Sequence, residues 1–206
     1  MMTQNKFWIY DKVIPEDICD QIKKLGLSKE LGKGLTANKT LEEHKEDGLS
    51  KLFRYRNSDL NWLDENWIYQ EIKPVVDQAN KDAEWNYDWD RMEQAQFTKY
   101  GKGQYYKWHI DQTNEPFDNP NEPSLYKKVR KLSLSFLLSH PDEYEGGVFE
   151  FDFSNVELGT IRHPLKELGG KGSMVIFPSD TFHRVTPVTK GTRYSLVIWC
   201  LGDPFR

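Results

Sequence analysis

Two His-x-Asp triplets stand out because imidazole and carboxylate groups bind metal ions when they lie close together. His109 and Asp111 belong to the first triplet, and His140 and Asp142 belong to the second. The segment 104–111 is typical of a strand, in which residues i and i+2 point to the same face. We therefore predict that His109 and Asp111 converge on one ion. The second triplet contains a proline and precedes two turn glycines, which predicts a loop.

A third histidine completes a ligand set. His183 follows Met-Val-Ile-Phe-Pro-Ser-Asp-Thr-Phe, which predicts a strand, a proline turn and the start of another strand. Two imidazoles and one carboxylate on one face of a metal form the facial triad of non-haem Fe(II) sites, which leaves positions open for co-substrates. Zinc is the commonest alternative, but structural zinc is usually closed by four ligands, and no fourth residue here has matching spacing.

An arginine provides a second signal. Arg193 opens the segment Arg-Tyr-Ser-Leu-Val-Ile-Trp, a predicted strand with Arg193, Ser195, Val197 and Trp199 on one face. A guanidinium that faces into an otherwise apolar strand is costly unless it meets an anion. A dicarboxylate suits it, because the guanidinium fork matches a carboxylate bidentately, and Ser195 could add one hydrogen bond.

Several stretches together resemble one known family. They read IPEDICDQI, FRYRNSDLNWL, YGKGQYYKWHID, KLSLSFLLSHPDEYEGGVFEF and GSMVIFPSDTFHRVTPVTKGTRYSLVIW. In this order, with the three ligands and the distal arginine, they resemble the iron- and 2-oxoglutarate-dependent dioxygenases. Within that family, the quoted stretches are most similar to the prolyl 4-hydroxylase-like branch. The last two stretches also resemble the bacterial PKHD-type hydroxylases of that branch. The resemblance spans nearly the whole chain.

The resemblance implies a role for each residue of the set. It makes His109, Asp111 and His183 the ligands of Fe(2+) and the catalytic centre, and Arg193 the partner of the distal carboxylate of 2-oxoglutarate. Tyr100 matches a tyrosine that in relatives hydrogen-bonds this co-substrate. Dioxygen is the other implied co-substrate, ascorbate is a candidate reductant, and succinate and CO2 are the implied products. An aspartate rather than alanine or glycine at 111 argues against the halogenase relatives.

The resemblance also implies a substrate, namely a prolyl residue in a peptide or protein. Arg56 and Trp108 match regions where relatives contact polypeptide. Aromatic side chains suit proline rings. The segments 28–51 and 113–127 are predicted to be the substrate loops, because long loops at a barrel mouth commonly carry function. The alternatives are a free amino acid or other small metabolite, or a non-catalytic jelly-roll module that binds a ligand or a partner protein.

The elements that position these residues fall into two zones of one predicted domain, 1–206. Residues 1–91 are predicted as a helical flank with early strands; one helix begins near Pro15 and another runs from about Leu63 to Asp82. In the core, 92–206, alternating segments are separated by turn residues, which predicts a sandwich or barrel. The expected strands lie near 92–100, 104–111, 130–139, 147–153, 173–177, 182–187 and 192–201. The resemblance implies a mainly β fold with N-terminal helices and a double-stranded β-helix (jelly roll) core.

Composition limits the partners and the compartment. The chain has 206 residues, 14% of them aromatic, and a formal net charge of −4. We expect no nucleic-acid or membrane partner, since nucleic acids and anionic membranes call for a basic surface and no stretch approaches the roughly 18 apolar residues of a membrane span. The N-terminus lacks the apolar region of a secretory signal, so we expect a cytoplasmic protein. Cys19 and Cys200 are predicted to be free, buried thiols, and the oligomeric state stays open.

Overall fold

The computed structural model describes residues 5–34, 55–113, 115–157 and 159–205. In that part of the chain there are two α-helices, α1 (Glu16–Ser28) and α2 (Asn66–Asp82). The strands are β1 (Trp8–Tyr10), β2 (Gly32–Lys33), β3 (Arg56–Asn57), β4 (Asp59–Leu63), β5 (Arg91–Met92), β6 (Ala95–Tyr100), β7 (Tyr105–His109), β8 (Val129–Leu137), β9 (Tyr144–Gly146), β10 (Phe149–Asp152), β11 (Arg162–Pro164), β12 (Met174–Pro178), β13 (His183–Val185), β14 (Val188–Gly191) and β15 (Arg193–Gly202).

Two antiparallel sheets form the jelly-roll core. The larger sheet has the strand order β1-β12-β8-β15-β6-β4-β2, with β5 also paired to β15, and the smaller has the order β11-β10-β13-β7-β3. Between them lies an aromatic core that includes Phe149 and Phe151 of the smaller sheet and Phe177 of the larger one. The helices pack on the opposite face of the larger sheet. The predicted mainly β fold with N-terminal helices is therefore confirmed.

The two helices follow the apolar spacing of the sequence. In α2, Ile68, Ile72, Val76 and Ala79 are fully buried, and their three- and four-residue spacing places them on one face. Pro74 lies inside α2, on its exposed side, and a single helix spans the proline.

The flank departs from the sequence-based prediction at two places. The second helix begins at Asn66 rather than near Leu63, because residues 59–63 form β4, which pairs with β6 in the larger sheet. The predicted loop 28–51 begins with the last residue of α1 and includes β2, which pairs with β4. The rest of that loop, 35–51, lies outside the described residues.

Two further expectations concern thiols and membranes. Cys19 and Cys200 are both free and buried, as predicted, and burial raises the pKa of the Cys19 thiol to about 12. Within the described ranges, we find no helix that is both long and apolar enough to cross a bilayer.

Packing of α1 on the larger sheet yields a first testable prediction. A Cβ built on Gly26 would lie 2.4 Å from Cγ of Phe97, a ring with no exposed surface. We expect Gly26→Ala to lower the free energy of unfolding by at least about 1 kcal/mol, because overpacking exceeds the helix-propensity gain of alanine. Gly32→Ala is the control, since its nearest heavy atom would be Leu60 O at 3.9 Å. Equal urea midpoints for the two variants would contradict the tight contact.

Candidate metal centre

The smaller sheet brings the three predicted ligands together. In this sheet His109, the last residue of β7, pairs with His183, the first residue of β13. The centroids of the two imidazole rings are 4.1 Å apart. Asp111 lies beyond the end of β7, so the prediction of a strand through residue 111 is wrong. A bend after His109 turns the carboxylate toward the histidines, and the Asp111 N–H donates to Ser179 O over 2.9 Å.

The ligand atoms of these residues converge. The distance from Nε2 of His109 to Oδ1 of Asp111 is 3.6 Å, and that from Nε2 of His183 to Oδ2 of Asp111 is 3.5 Å. Each imidazole uses its other nitrogen for the backbone: Nδ1–H of His109 donates to Lys107 O at 2.7 Å, and Nδ1–H of His183 donates to Thr181 O at 2.9 Å. These hydrogen bonds leave each Nε2 facing the carboxylate, the arrangement in which metal-binding histidines hold an ion.

Burial sets the protonation states of this group. Desolvation, helped by the neighbouring His183, lowers the pKa of His109 to about 3. Burial alone would raise the pKa of Asp111, but the charges of His183, His109 and Arg130 outweigh it and lower this pKa to about 2. At neutral pH the set therefore combines a carboxylate with a neutral His109.

A bound cation would satisfy a carboxylate oxygen that has no hydrogen-bond partner in the described chain. Oδ2 of Asp111 is buried and has no hydrogen-bond partner within the described residues. It lies 3.5 Å from Nε2 of His183, so two potential metal-ligand atoms face each other. Three ligands, two of them imidazole, fit a divalent transition metal and leave coordination positions open. The residues present therefore fit the Fe(II) that the sequence pattern indicates.

Arg193 lies in the same cavity, at the start of β15. Its side chain is 1% exposed, and Nη1 donates to Oγ of Ser195 at 3.0 Å. Nε and Nη2 are buried without a hydrogen-bond partner in the described chain. Ser195, Val197 and Trp199 also line this cavity, which confirms the predicted face of the strand. Two unpaired N–H groups on a buried cation fit a carboxylate, which can accept from both.

The remaining cavity wall is aromatic and apolar. Tyr100 lines it, and its ring centroid lies 5.7 Å from Cζ of Arg193. Phe149 stacks on the His183 imidazole with ring centroids 5.4 Å apart. Phe177 and Val185 complete this side. Such walls keep water from the ligands and strengthen electrostatic interactions inside the cavity.

A β-bulge explains how Tyr106 reaches the cavity. Strict alternation along β7 would place Tyr106 and His109 on opposite faces, but the register between β7 and β13 shifts there. Tyr106 consequently stacks on the His109 imidazole, with centroids 3.5 Å apart. Arg56 lies behind Tyr106, with Cζ 4.6 Å from the ring centroid, and is 4% exposed. The structure thus buries Arg56 beneath Tyr106, outside the set of residues that line the cavity.

Trp108 lies on the other face of the smaller sheet. Its ring is covered by Arg184, with Cζ 4.6 Å from the centroid, and by Arg162 at 5.6 Å. Trp108 therefore does not line the cavity of the three ligands. The second His-x-Asp triplet is also distant from it in the fold: His140 and Asp142 belong to a surface loop with a 3-10 turn, as predicted.

Sequence reasoning missed one element of the site, an ion pair behind Asp111. Nε and Nη2 of Arg130 donate to the two carboxylate oxygens of Glu93 at 2.5 and 2.7 Å. Nη1 of Arg130 donates to Asp111 O at 3.3 Å, and the guanidinium lies 3.9 Å from the ring centroid of Trp199. The sequence did contain an indication of it, because Arg130 is a charged residue near the start of the apolar strand β8. A charged residue in an apolar strand is also what identified Arg193.

A glycine behind Arg193 provides a prediction about the anion pocket. A Cβ on Gly147 would lie 2.9 Å from Cγ2 of Val188 and 3.1 Å from Cδ of Arg193, and the residue has φ of +59°. We expect Gly147→Ala to displace the guanidinium and raise the KM for 2-oxoglutarate roughly tenfold, which corresponds to about 1.4 kcal/mol. Gly159→Ala is the matched control, because φ is +72° and nothing lies within 4 Å of its Cβ. A KM for Gly147→Ala as low as that for Gly159→Ala would contradict the close contact with Arg193.

Comparisons with known proteins agree with this arrangement. Residues 95–201 match the family model described as the 2OG-Fe(II) oxygenase superfamily. A PKHD-type hydroxylase of Bordetella pertussis is 33% identical over 104 residues, which are 50% of this chain and 41% of the relative. A PKHD-type hydroxylase of Hyphomonas neptunium is 37% identical over 100 residues, or 48% of this chain and 38% of the relative. The chain thus spans about two fifths of the length of these curated relatives.

Solved structures match over nearly the whole chain. A prolyl-4-hydroxylase from Pseudomonas putida has a TM-score of 0.65 at 16% identity, covering 97% of this chain and 94% of that one. The viral collagen prolyl hydroxylase of Paramecium bursaria Chlorella virus-1, solved with 2OG, has a TM-score of 0.64 at 18% identity, covering 96% and 97%. At these identities the likeness concerns the fold, and it supports the jelly-roll assignment.

Proposed function

The chain belongs to the 2OG-Fe(II) oxygenase superfamily, and from this premise we propose that it is a PKHD-type enzyme that hydroxylates a prolyl residue in a peptide or protein. In this proposal His109, Asp111 and His183 hold Fe(II), while Arg193 binds the distal carboxylate of 2-oxoglutarate. The observation that supports it best is one cavity containing both the three converging ligands and a fully buried arginine with two unpaired N–H groups.

Each residue of the cavity has a defined task in the proposal. Fe(II) held by the three ligands would supply the chemistry that converts 2-oxoglutarate and dioxygen to succinate, CO2 and one oxygen atom for a substrate C–H bond. Arg193 orients the co-substrate through its far end, and Ser195 and Tyr100 border that end. The stack of Arg56, Tyr106 and His109 fixes the plane of the first imidazole.

Two observations support a prolyl substrate. Solved structures with this fold include prolyl hydroxylases, and the one from Trichoplax adhaerens contains a hypoxia inducible factor peptide, with a TM-score of 0.62 at 16% identity. In this chain, the side chains of Tyr106 and Trp199 line the cavity near the ligands. Flat aromatic surfaces of this kind suit a proline ring.

A direct assay separates the peptide substrate from a free amino acid. The full chain is incubated with Fe(II), 2-oxoglutarate and ascorbate as the reductant, together with proline-containing peptides or free L-proline. We expect a gain of one oxygen atom by mass on a peptide and none on the free amino acid, with one succinate formed per hydroxylation. If only free amino acids are hydroxylated, the peptide substrate is wrong while the oxygenase reaction stands.

A further inference from the structure

A second cavity, of about 660 Å³, opens beside the metal centre. Strands β4, β5 and β8 form part of its wall, and the segment 113–127 forms the rest through Phe117, Glu122 and Leu125. This segment is closed on itself, because Phe117 N donates to Lys128 O at 3.0 Å and Lys127 N to Phe117 O at 2.7 Å. We call this cavity the flanking cleft.

The side chains of Arg130 and Trp199 lie between the flanking cleft and the metal centre. Arg130 lines the cleft, stacks on Trp199 at 3.9 Å and donates to the backbone of Asp111. Trp199 lines the metal cavity, and its ring centroid lies 6.2 Å from that of Trp62, which lines the cleft. Trp199 and Trp62 therefore connect the two cavities, and a substrate that extends over them enters the cleft.

The charges of the cleft do not balance. The guanidinium of Arg130 is neutralised by Glu93 across a buried pair, at 2.5 Å. Arg91 is paired with Asp90 at 2.9 Å, a carboxylate that Lys128 shares, and Nη1 of Arg91 donates to Ser124 O at 2.9 Å. The lining therefore has three carboxylates, those of Asp64, Glu93 and Glu122, against the two guanidinium groups of Arg91 and Arg130.

Two lining carboxylates have no cation of their own within the described residues. Asp64 accepts hydrogen bonds from the Tyr69 hydroxyl and the Gln94 amide, both at 3.4 Å. Glu122 accepts from the Asn119 amide at 2.9 Å. These donors are neutral, so the cleft presents negative charge to whatever enters it.

The exposed indole of Trp62 is a second feature of the cleft that favours a cation. Trp62 is 44% exposed although it belongs to β4, whose other apolar residues are buried. The face of an indole attracts ammonium and guanidinium groups. A cation that lies on Trp62 between Asp64 and Glu122 would thus meet both a π-face and unpaired carboxylates.

We propose that the flanking cleft binds the polypeptide next to the hydroxylated residue and selects a lysine or arginine there. This inference rests on the proposed function, because it assigns the neighbouring residues of the same substrate. Combining one exposed cation–π contact with surface charge pairing gives an expected preference of about tenfold for a cationic over an anionic flank.

The test uses three blocked, fluorescein-labelled peptides that share a central proline and differ in its neighbours, which are Lys, Gln or Glu. Their Kd values are measured by anisotropy against the full chain with Mn(II) and 2-oxoglutarate, conditions under which no turnover is needed. We expect the Lys peptide to bind about tenfold more tightly than the Glu peptide, with Gln between them. We also expect the difference to shrink as salt is added.

Variants locate the preference in the cleft. Glu122→Lys should abolish or reverse it, whereas Glu157→Lys, an equal charge change on the exposed β10–β11 hairpin, should leave it intact. The isosteric pair Asp64→Asn with Glu122→Gln tests the same charges with little risk to folding. Trp62→Ala should weaken the Lys peptide at least threefold, whereas Phe205→Ala, which removes an exposed ring elsewhere, should not.

Equal Kd values for the Lys and Glu peptides, or a preference that survives Glu122→Lys, would overturn the proposal. Failure of every peptide to bind would overturn it as well. The proposed function is judged separately by succinate formation from 2-oxoglutarate in the unmodified chain with Fe(II). If the chain forms succinate but shows no preference among the peptides, only the proposed role of the cleft is wrong, and the proposed oxygenase reaction stands.

Discussion

Replacing Asp111 with alanine is expected to abolish 2-oxoglutarate turnover and to weaken Mn(II) or Fe(II) binding at least about 100-fold. Asp111 is the single carboxylate of the ligand set, it is 8% exposed, and its Oδ2 has no partner in the described chain. Removing one member of a buried charged pair costs roughly 3–5 kcal/mol, which is about 100- to 4,000-fold in Kd. Calorimetric titration of the metal and an assay of succinate formation measure the two effects.

The other His-x-Asp triplet offers a matched control. Asp142 is an exposed aspartate in the 3-10 turn Pro141–Glu143, so Asp142→Ala should bind metal and turn over like the unmodified chain. Thermal unfolding without metal should show both variants folded. If Asp111→Ala retains both affinity and activity, the ligand set is wrong, and the pair His140 and Asp142 becomes the next to be tested.

The second large effect is expected from Arg193→Leu, which should raise the KM for 2-oxoglutarate about 10- to 150-fold with little change in metal affinity. A hydrogen bond to a charged group contributes about 1.5–3 kcal/mol, which corresponds to that range. Arg193 can offer two such donors, Nε and Nη2, both buried and unpaired in the described chain. Initial rates over a range of 2-oxoglutarate concentrations, with calorimetry of Mn(II), separate the two parameters.

A stability measurement sharpens this second prediction. Leucine at 193 removes a buried, incompletely paired cation, so the unliganded variant should be at least as stable as the unmodified chain. Added 2-oxoglutarate with Mn(II) should raise the melting temperature of the unmodified chain more than that of the variant. Lys190→Leu is the control, since this side chain is 76% exposed and paired with Glu145. An unchanged KM in Arg193→Leu would move the anion site elsewhere, and Lys190 would be the nearest cation in sequence.

Residue type and spacing were sufficient for the parts of the site that sit on regular strands. The alternation along β15 correctly placed Arg193, Ser195 and Trp199 on one face, because a strand without a bulge repeats every two residues. The proline turn between β12 and β13 placed His183 at the start of a strand, as observed.

The two-residue alternation of strands does not predict the site where the backbone is irregular. The bulge between β7 and β13 turns Tyr106 to the side of His109, whereas period-two alternation separates them. The bend that turns Asp111 toward the histidines depends on Ser179, which lies in a turn far away in the sequence. The carbonyl oxygen of Ser179 accepts a hydrogen bond from the N–H of Asp111. Neither feature follows from local sequence, since both are set by contacts between residues far apart in the chain.

Buried polar residues hid part of the fold from the sequence. Strand β4 contains Asn61, which is 8% exposed and was not expected inside a sheet. Its Nδ2–H donates to Gly26 O at 2.7 Å, near the end of α1, whereas its buried Oδ1 has no partner within the described residues. Arg130 and Glu93 form an ion pair because β5 and β8 both pair with β15, which brings the two residues together. Pairing partners of this kind become visible only in three dimensions.

Release of CO2 from 2-oxoglutarate labelled at C1 is the most direct test of the proposed iron and 2-oxoglutarate site. The unmodified chain is compared with His183→Ala, each with Fe(II) or Zn(II), in air or under nitrogen. We expect release and stoichiometric succinate from the unmodified chain with Fe(II) in air only, and none from the variant. Equal release from both proteins would contradict the assignment of the ligands. A folded, Fe(II)-binding chain that releases no CO2 under any condition would instead indicate a non-catalytic binding module.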